Sequence, residues 1–180
     1  GVSPYSNDAF IARYTTSGAL VWVHQLDCTV MATFDGVAVS ADGTIEAGGW
    51  FRGLIDVGDG PVGLASGWES QGDGLLVAFA PDGTRVWGKA FVGTGAAIAD
   101  LTATPDGFVA LGFANAGVTI GETPFARSAP FFAAYDPSGA HRWSRQVVAA
   151  PDGAPISPGA VATTPDGTVV NVRTEQRDVA

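Results

Sequence analysis

The sequence predicts an all-β fold built from repeated units of four antiparallel strands, typical of the blades of a β-propeller. Three observations lead to this prediction. Two kinds of motif alternate along the chain, and each kind occurs three times. Both kinds place a tight-turn glycine between short runs of β-branched and aromatic residues, which indicates a β-hairpin. The 25 glycines and 11 prolines among 180 residues disfavour helices, because both residue types interrupt them.

The first kind of motif predicts the outer hairpin of each unit. Its copies run from Asp8 to Trp22, from Asp73 to Trp87 and from Ala129 to Trp143. The turn glycines of these copies are Gly18, Gly83 and Gly139. One tryptophan recurs at the same place in every unit, which favours a packing role between units over a catalytic one.

The second kind of motif predicts the inner hairpin of each unit. It occupies residues 37–48, 101–112 and 161–172, with turn glycines Gly43, Gly107 and Gly167. Asp or Ser before a turn glycine bonds to nearby backbone, and glycine accepts the left-handed conformation that closes a short loop with a bulge. Apolar residues on both sides of the turns predict strands that are buried on both faces.

These motifs divide a single repeat domain, residues 1–180, into two complete blades and two half blades. Residues 36–90 and 98–148 are predicted as complete blades. Residues 8–24 are the outer hairpin of a split blade, and residues 159–173 are the inner hairpin of one. About three blades' worth of strands does not close a ring on the usual plan of four to eight blades. The sequence favours an excerpt of a longer propeller, because both ends cut through a blade, and leaves a ring completed by homo-oligomerisation as the alternative.

Three segments resemble a bacterial β-propeller repeat family of secreted and cell-surface proteins, common in myxobacteria. They are GGWFRGLIDVG at 48–58, DGLLVAF at 73–79 and DGTRVWGKAF at 82–91. The family repeat reads approximately G-x-F-x-G-x-x-D-F-G…D-x-F-V-A-K-x-D-x-x-G-x-x-x-W-x-x-x-F-G, and the resemblance covers most of the chain. Val57 replaces an aromatic residue, Ala129 replaces the leading aspartate, and Gly117 to Gly121 is one residue shorter than Gly53 to Gly58. The resemblance implies an extracytoplasmic, secreted or lipid-anchored, non-enzymatic module, and it implies no ligand, cofactor or catalytic residue.

The connections predict which end of the sheets binds a partner. In a meander the tight turns fall at one end, and the long connections, about 24–36, 52–73, 90–99, 114–129 and 145–159, fall at the other. Long loops on a rigid scaffold commonly carry recognition, so we expect this long-loop face to bind. The candidate binding residues all lie in or beside the longest loop: Trp50, Asp56, Asp59, Trp68 and Glu69.

The acidic longest loop has two interpretations. Its carboxylates could hold calcium and Trp68 could stack on a sugar, or the loop is solvated and Trp68 folds down over apolar side chains. The aspartates stand singly beside glycine rather than in a calcium-loop run, so the sequence predicts neither a metal site nor a cofactor. Cys28 is the single cysteine and cannot form an internal disulfide. It is predicted to be a small buried side chain, with pairing to an outside cysteine as the alternative.

The composition sets further bounds on function. Hydrophobic residues make up 46% of the chain, which is enough to bury a core and argues against a disordered segment. No apolar run reaches the roughly 18 residues of a membrane-spanning helix, so membrane insertion is not expected. The net charge is −9 and Lys89 is the sole lysine. Nucleic-acid partners and polybasic membrane attachment are therefore not expected either.

Catalysis is the least favoured function. A hydrolase needs two facing carboxylates, and the available ones are Glu46, Glu69, Glu122 and Asp100. Neither His24 nor His141 lies near a nucleophile elbow, and no catalytic residue is predicted. The sequence therefore predicts a non-enzymatic extracytoplasmic module that binds or displays, recognising a protein or glycan through the long-loop face. The alternatives are a structural or assembly unit without ligand and, less favoured, a propeller hydrolase or lyase.

Overall fold

The computed structural model describes residues 7–64, 72–93, 95–122, 124–147 and 156–175. Within these ranges all regular structure is β-strand, and no helix is long and apolar enough to cross a membrane. The antiparallel sheets do not close into a barrel, and the prediction of an all-β fold with four-stranded antiparallel units is confirmed. The strands are β1 (Ala9–Tyr14), β2 (Leu20–Leu26), β3 (Met31–Val39), β4 (Ile45–Arg52), β5 (Leu54–Asp56), β6 (Pro61–Gly63), β7 (Asp73–Phe79), β8 (Arg85–Phe91), β9 (Ala96–Thr104), β10 (Gly107–Ala114), β11 (Ala129–Tyr135), β12 (His141–Gln146), β13 (Ile156–Thr163) and β14 (Val169–Glu175).

Two four-stranded meanders form the middle of the chain. The first sheet has the strand order β3-β4-β7-β8, and the second has the order β9-β10-β11-β12. The hairpins β1–β2 and β13–β14 are separate two-stranded sheets at either end of the described chain. A further small hairpin, β5–β6, is inserted between β4 and β7.

Five tight turns use the glycine chemistry that the sequence predicts. In the turn at 80–84, the Gly83 amide donates to the Ala80 carbonyl at 2.9 Å, and φ of Gly83 is +93°. The Asp82 carboxylate accepts from the Thr84 amide at 2.8 Å, and this bond holds the pKa of Asp82 below its usual range. The same backbone bonds recur in the turns at 15–19, 40–44, 136–140 and 164–168. The remaining turn is tighter, because Gly107 pairs directly with Thr104.

Two of the five predicted long connections are short. Residues 27–30 join β2 to β3, and residues 92–95 join β8 to β9, so these links are no longer than the five tight turns described above. The predicted spans 24–36 and 90–99 are wrong because β3 begins at Met31 and β9 begins at Ala96, where pairing to β4 and β10 extends both strands. The connection from β4 to β7, which carries β5 and β6, is long, as is the one from β10 to β11, and both of these, like the predicted 145–159, lie partly outside the described residues.

The sheets stack face to face in chain order. One face of the first sheet packs on hairpin β1–β2, where Ala9 and Leu26 meet Phe51, Leu75 and Val77 in one buried cluster. The opposite face packs against β9 of the second sheet, and β13 packs in turn against β9, β10 and β11. A second buried cluster fills the layer between the two sheets and contains Ala38, Leu76, Ile98, Leu101 and Phe108.

Burial on both faces is confirmed for β4 and β7, the two central strands of the first sheet, but not for its edge strand β3. Every residue of β7 is buried, as are most residues of β4. Val37 and Val39 are 58% and 60% exposed, although Ala38 between them is buried. On this face β1 contacts β3 but leaves open grooves beside the two valines, so both side chains stay exposed.

A repeated tryptophan contact joins each unit to the next, and we call it the tryptophan clamp. The Trp22 indole donates to the Pro81 carbonyl at 3.1 Å, and the Trp87 indole donates to the Pro137 carbonyl at 3.1 Å. Each ring also lies over the glycine of the turn that it contacts. A Cβ atom at Gly83 would lie 2.9–3.1 Å from His24 and Trp22, and one at Gly139 would lie 2.8 Å from Trp87. The packing role expected for these tryptophans therefore has a specific partner, the tight turn of the following unit.

The clamp predicts unequal effects of alanine at two glycines that share a left-handed backbone. Gly139 has φ +80° beneath Trp87, whereas Gly117 has φ +87° and open space around its Cβ position. Gly117→Ala should cost about 1 kcal/mol of unfolding free energy through backbone strain alone. Gly139→Ala should cost roughly 2–3 kcal/mol, because it also displaces a packed ring. Urea unfolding of both variants measures the difference, and equal losses would contradict the clamp.

Candidate functional site

The β5–β6 hairpin dominates the loop end of the first sheet. Gly53 leaves β4 with φ +95°, and a Cβ atom there would lie 2.5 Å from the Thr29 hydroxyl. The Leu54 amide donates to that hydroxyl at 2.8 Å, and the Thr29 amide donates back to the Leu54 carbonyl at 3.0 Å. Ile55 and Val57 are buried in the cluster beneath. The hairpin is therefore held to the scaffold by backbone bonds and by apolar burial.

Asp56 and Asp59, two predicted binding residues, lie at the tip of this hairpin. The Asp56 carboxylate accepts from the amides of Gly58 at 2.8 Å and Gly60 at 3.3 Å, so it shapes the turn. Asp59 is exposed at the tip. Within the described ranges, no group of three or more His, Cys, Asp or Glu side chains is placed to hold a metal ion.

Trp50 lies near the end of β4, on the same end of the sheet as the hairpin. Its side chain is half-buried, and the Arg52 guanidinium carbon lies 5.5 Å from the centre of its ring. A Cβ atom at Gly72 would lie 3.1 Å from the ring edge. The structure thus brings Trp50, Asp56 and Asp59 to one end of the first sheet. Trp68 and Glu69 lie outside the described residues.

These features are particular to the first sheet. The position of Trp50 corresponds to Ala114 in the second unit, where the side chain is small and buried. In place of the β5–β6 hairpin, the second unit has an isolated bridge between Thr119 and Pro124. Features that recur in each unit serve the stacking of units, so a structured loop and an aromatic residue found in one of the two described four-stranded units are the better candidates for recognition.

A second open site lies beside β12. A cleft of about 710 Å³ separates the loop at 122–126 from the strand and exposes polar residues on its wall. Arg142 and Arg145 line it together with Glu122 and His141. Glu122 and His141 were considered above as catalytic candidates, whereas the two arginines were not predicted from the sequence. No motif marks them, because charged residues on an edge strand usually form a solvated face.

The hydrogen bonds described in this cleft do not join Ser144 to His141 as a nucleophile and its base. The Ser144 hydroxyl donates its proton to the Ile120 carbonyl at 2.9 Å, so this proton is not directed to His141. His141 Nε2 is buried without a hydrogen-bond partner, and the ring of His141 is closely approached by Gly121. Arg142 forms an ion pair with Asp106 at 3.4 Å.

Among the described carboxylates considered above for a hydrolase, Glu46 is the fully buried one. It lies within β4, where the Ser40 hydroxyl donates to Glu46 Oε1 at 3.0 Å and Oε2 has no hydrogen-bond partner. Burial raises the pKa of Glu46 to about 7, opposed by the Ser40 bond and assisted by the charge of Asp42. Its exposed fraction is 0%, so no substrate reaches it.

Asp100, another predicted carboxylate, serves the backbone instead. It accepts from the Leu101 amide at 2.9 Å and from the Val161 amide at 2.8 Å, and the second bond joins β9 to β13. Cys28 is buried with 1% exposure, and its sulfur lies 2.9 Å from the Arg52 carbonyl. The prediction of a small buried cysteine is confirmed.

No family model matches this chain, and no curated protein is significantly similar to it.

The burial of Glu46 predicts a pH-dependent stability. Between about pH 4.5 and 7 the folded chain holds a proton on Glu46 that the unfolded chain has lost, so stability falls as the pH rises. At about 1.4 kcal/mol per pKa unit, the loss approaches roughly 3 kcal/mol above pH 7. Glu46→Gln mimics the protonated form, so it should be much more stable than the wild type at pH 8 and close to it at pH 5.

Urea unfolding at the two pH values measures this effect. The exposed Glu122→Gln is the matched control and should follow the wild type at both. An E46Q variant that loses stability with pH as the wild type does would show that Glu46 is not the responsible group.

Proposed function

We propose that this chain is a non-enzymatic binding or display module of the cell exterior that recognises a protein or glycan through the loop end of its sheets. The observation that carries the proposal is the β5–β6 hairpin. It is held in one conformation by bonds to Thr29 and by the buried Ile55, while Asp59 at its tip is exposed. A loop that is ordered before binding loses little entropy on binding, which favours recognition.

The chemistry of this end suits a polar ligand with a flat apolar face. Trp50 supplies a half-exposed aromatic ring, Arg52 a cation beside it, and Asp59 an anionic acceptor at the hairpin tip. Glycans are bound in this way, by stacking and hydrogen bonds, and protein partners favour tryptophan and arginine at their contacts. Trp50 and Arg52 therefore support either class of partner.

The described side chains support a non-enzymatic role. Glu46 is sealed in the core, Asp100 is bonded to two amides, and the hydroxyl of Ser144 donates to a carbonyl. A propeller hydrolase or lyase would instead need reactive groups that face one another in an open cleft. The cleft beside β12 contains Glu122 and His141 and is the place where such an activity would have to reside.

The propeller arrangement and the extracytoplasmic location are parts of the same proposal. Sheets that stack in chain order, with a tryptophan clamp between β1–β2 and the first sheet and another between the first and second sheets, are the packing that blades of a propeller require. The resemblance to secreted and cell-surface repeats supports the location. A structural or assembly unit without ligand is the alternative, and binding experiments separate the two.

The proposal predicts that binding depends on the β5–β6 hairpin. The purified chain is screened on a glycan array and on an array of cell-envelope proteins, and each hit is repeated with residues 54–63 replaced by a glycine-serine linker. We expect the replacement to abolish binding and Trp50→Ala to weaken it by about tenfold or more, as for an aromatic contact residue.

The control variant places a charge at the opposite end of the first sheet. Ala41→Lys changes an exposed residue of the turn at 40–44 and should leave binding intact. Binding that survives the hairpin replacement, or that is lost with Ala41→Lys, would contradict recognition through the loop end. No hit on either array would favour the assembly alternative.

A further inference from the structure

We propose that the cleft beside β12 binds an extended acidic segment of a partner polypeptide, which pairs with the free edge of this strand. Such pairing adds a strand to an existing sheet, so main-chain hydrogen bonds supply affinity and side-chain contacts supply selectivity. The surface is separate from the β5–β6 hairpin. The inference therefore goes beyond the proposed recognition at the loop end, and either one can fail while the other stands.

β12 is an edge strand of a complete four-stranded sheet. Among the described strands it pairs with β11 alone, and β9 forms the other edge of the sheet. Its place in the second sheet is that of β8 in the first, so the free edge follows from the position of the strand within its own unit. Neighbouring sheets stack on the faces of this sheet. A further sheet in the stack would cover a face and leave this edge open.

The backbone of β12 turns every second residue toward the open edge. The Val147 amide donates to the Pro130 carbonyl of β11 at 2.8 Å. Because hydrogen-bonded pairs alternate in an antiparallel ladder, Arg145 also bonds to β11, whereas Ser144 and Gln146 direct their amides and carbonyls outward. The Arg145 guanidinium donates to the Ser144 carbonyl at 2.8 Å, which agrees with this outward direction. An incoming strand therefore meets donors and acceptors two residues apart.

Ser144 holds the preceding loop away from β12. Gly88 has the matching place on β8, one residue after the clamp tryptophan, and a Cβ atom there would lie 1.9 Å from the Val57 carbonyl oxygen. The β5–β6 hairpin thus lies against the backbone of β8. On β12 the Ser144 side chain occupies this space, and its hydroxyl donates to the Ile120 carbonyl at 2.9 Å. The loop therefore lies further from β12, and the cleft of about 710 Å³ opens beside the strand.

Positive charge is concentrated on the β12 wall of the cleft. Arg142 and Arg145 both line it, in a chain that has 9 basic and 18 acidic residues. Within the described ranges, Arg142 forms the exposed ion pair with Asp106, and no carboxylate pairs with Arg145. Both guanidinium groups keep N–H donors for a ligand, and their bonds to a carboxylate are charge-assisted. Glu122 lies on the opposite wall, so the acidic side chains of a ligand are expected to face β12.

The open edge and the arginines together select a polypeptide. A glycan that contains uronates would supply carboxylates for the arginines. It lacks the row of alternating donors and acceptors at strand spacing that would meet Ser144 and Gln146. Charged residues on an edge strand often serve to prevent pairing with other chains. The edge of β12 differs because the loop that contains Pro124 gives it a second wall, on which side chains of an added strand can rest.

The first experiment measures the binding of extended acidic peptides. Fluorescein-labelled octapeptides carry glutamate at every second position, with valine, threonine or isoleucine between. Fluorescence polarisation with the full chain at low salt should give saturable binding, and glutamine in place of each glutamate should raise Kd by about tenfold or more. A Kd above about 1 mM for every octapeptide would overturn the proposal. Displacement of a bound peptide by an equal concentration of a galacturonate octamer would also overturn it, in favour of an acidic glycan.

The second experiment tests whether the peptide binds as an added strand. Two versions of the tightest peptide carry N-methyl groups, one on the odd residues and one on the even residues. Only every second amide of an added strand faces the sheet. One version should therefore raise Kd by about tenfold or more, because it loses several hydrogen bonds, and the other should stay close to the parent peptide. Equal effects of the two versions would overturn the proposal.

The third experiment locates the bound peptide. Arg142→Gln together with Arg145→Gln should raise Kd by about tenfold or more at low salt, and the difference should shrink at high salt. Lys89→Gln is the matched control for the single variant Arg145→Gln, because Lys89 has the place of Arg145 on the edge strand β8 and each change removes one positive charge. It should leave Kd unchanged, and equal effects of the two single variants would overturn the proposal.

Stability and the hairpin serve as the remaining controls. Both arginines are exposed, so urea unfolding should show the same stability for their glutamine variants as for the wild type. Replacement of residues 54–63 by a linker should leave peptide binding intact, which separates this inference from recognition at the loop end. Peptide binding that is lost with the hairpin, or that persists unchanged without both arginines, would overturn the proposal.

Discussion

The contact on which the rest of the structure depends is the one between a tryptophan of one unit and the tight turn of the next. The indole of Trp22 or Trp87 bonds to a proline carbonyl, and its ring takes the space that a side chain on the turn would need. Glycine at the turn thus meets two demands at once, a left-handed backbone and an approaching ring. Because this contact sets how the sheets stack, it decides which strands are buried on both faces and where the loop end lies.

The four-stranded units could be predicted from the sequence, because turn motifs that are weak evidence singly become strong evidence when they recur. A single turn triplet such as Pro-Asp-Gly indicates one turn, but a hairpin motif that occurs three times at similar spacing indicates a repeated unit. The starts of β3 and β9 could not be predicted. Asp35-Gly36 within β3 is a typical turn signal, and the segment from Ala96 to Asp100 is mostly alanine, so both segments become strands through pairing with β4 and β10. The sequence pattern therefore predicts the end of a strand that adjoins a tight turn better than it predicts the end that lies far from the turn.

The site was less predictable than the fold for a related reason. The strands of the β5–β6 hairpin are three residues each, too short for alternation to be recognised among glycines. Trp50 was identified, but its partner Arg52 was not, because their proximity depends on the geometry of the strand end. Glu46 lies close to a turn, where a glutamate is normally solvated, and only the neighbouring sheet explains its burial.

The clamp also gives the chain a direction. The first sheet donates the Trp87 indole to the turn of the second sheet and receives the Trp22 indole on its own turn, so the contacts before and after this unit are of different kinds. If a unit were duplicated between two others, its turn would accept the indole of the preceding unit. Its own indole would donate to the turn of the following unit, so both contacts would be made. Whole units can therefore be gained or lost by duplication or deletion without compensating substitutions in the adjacent units. A protein whose elements all pack into one shared core does not allow such changes.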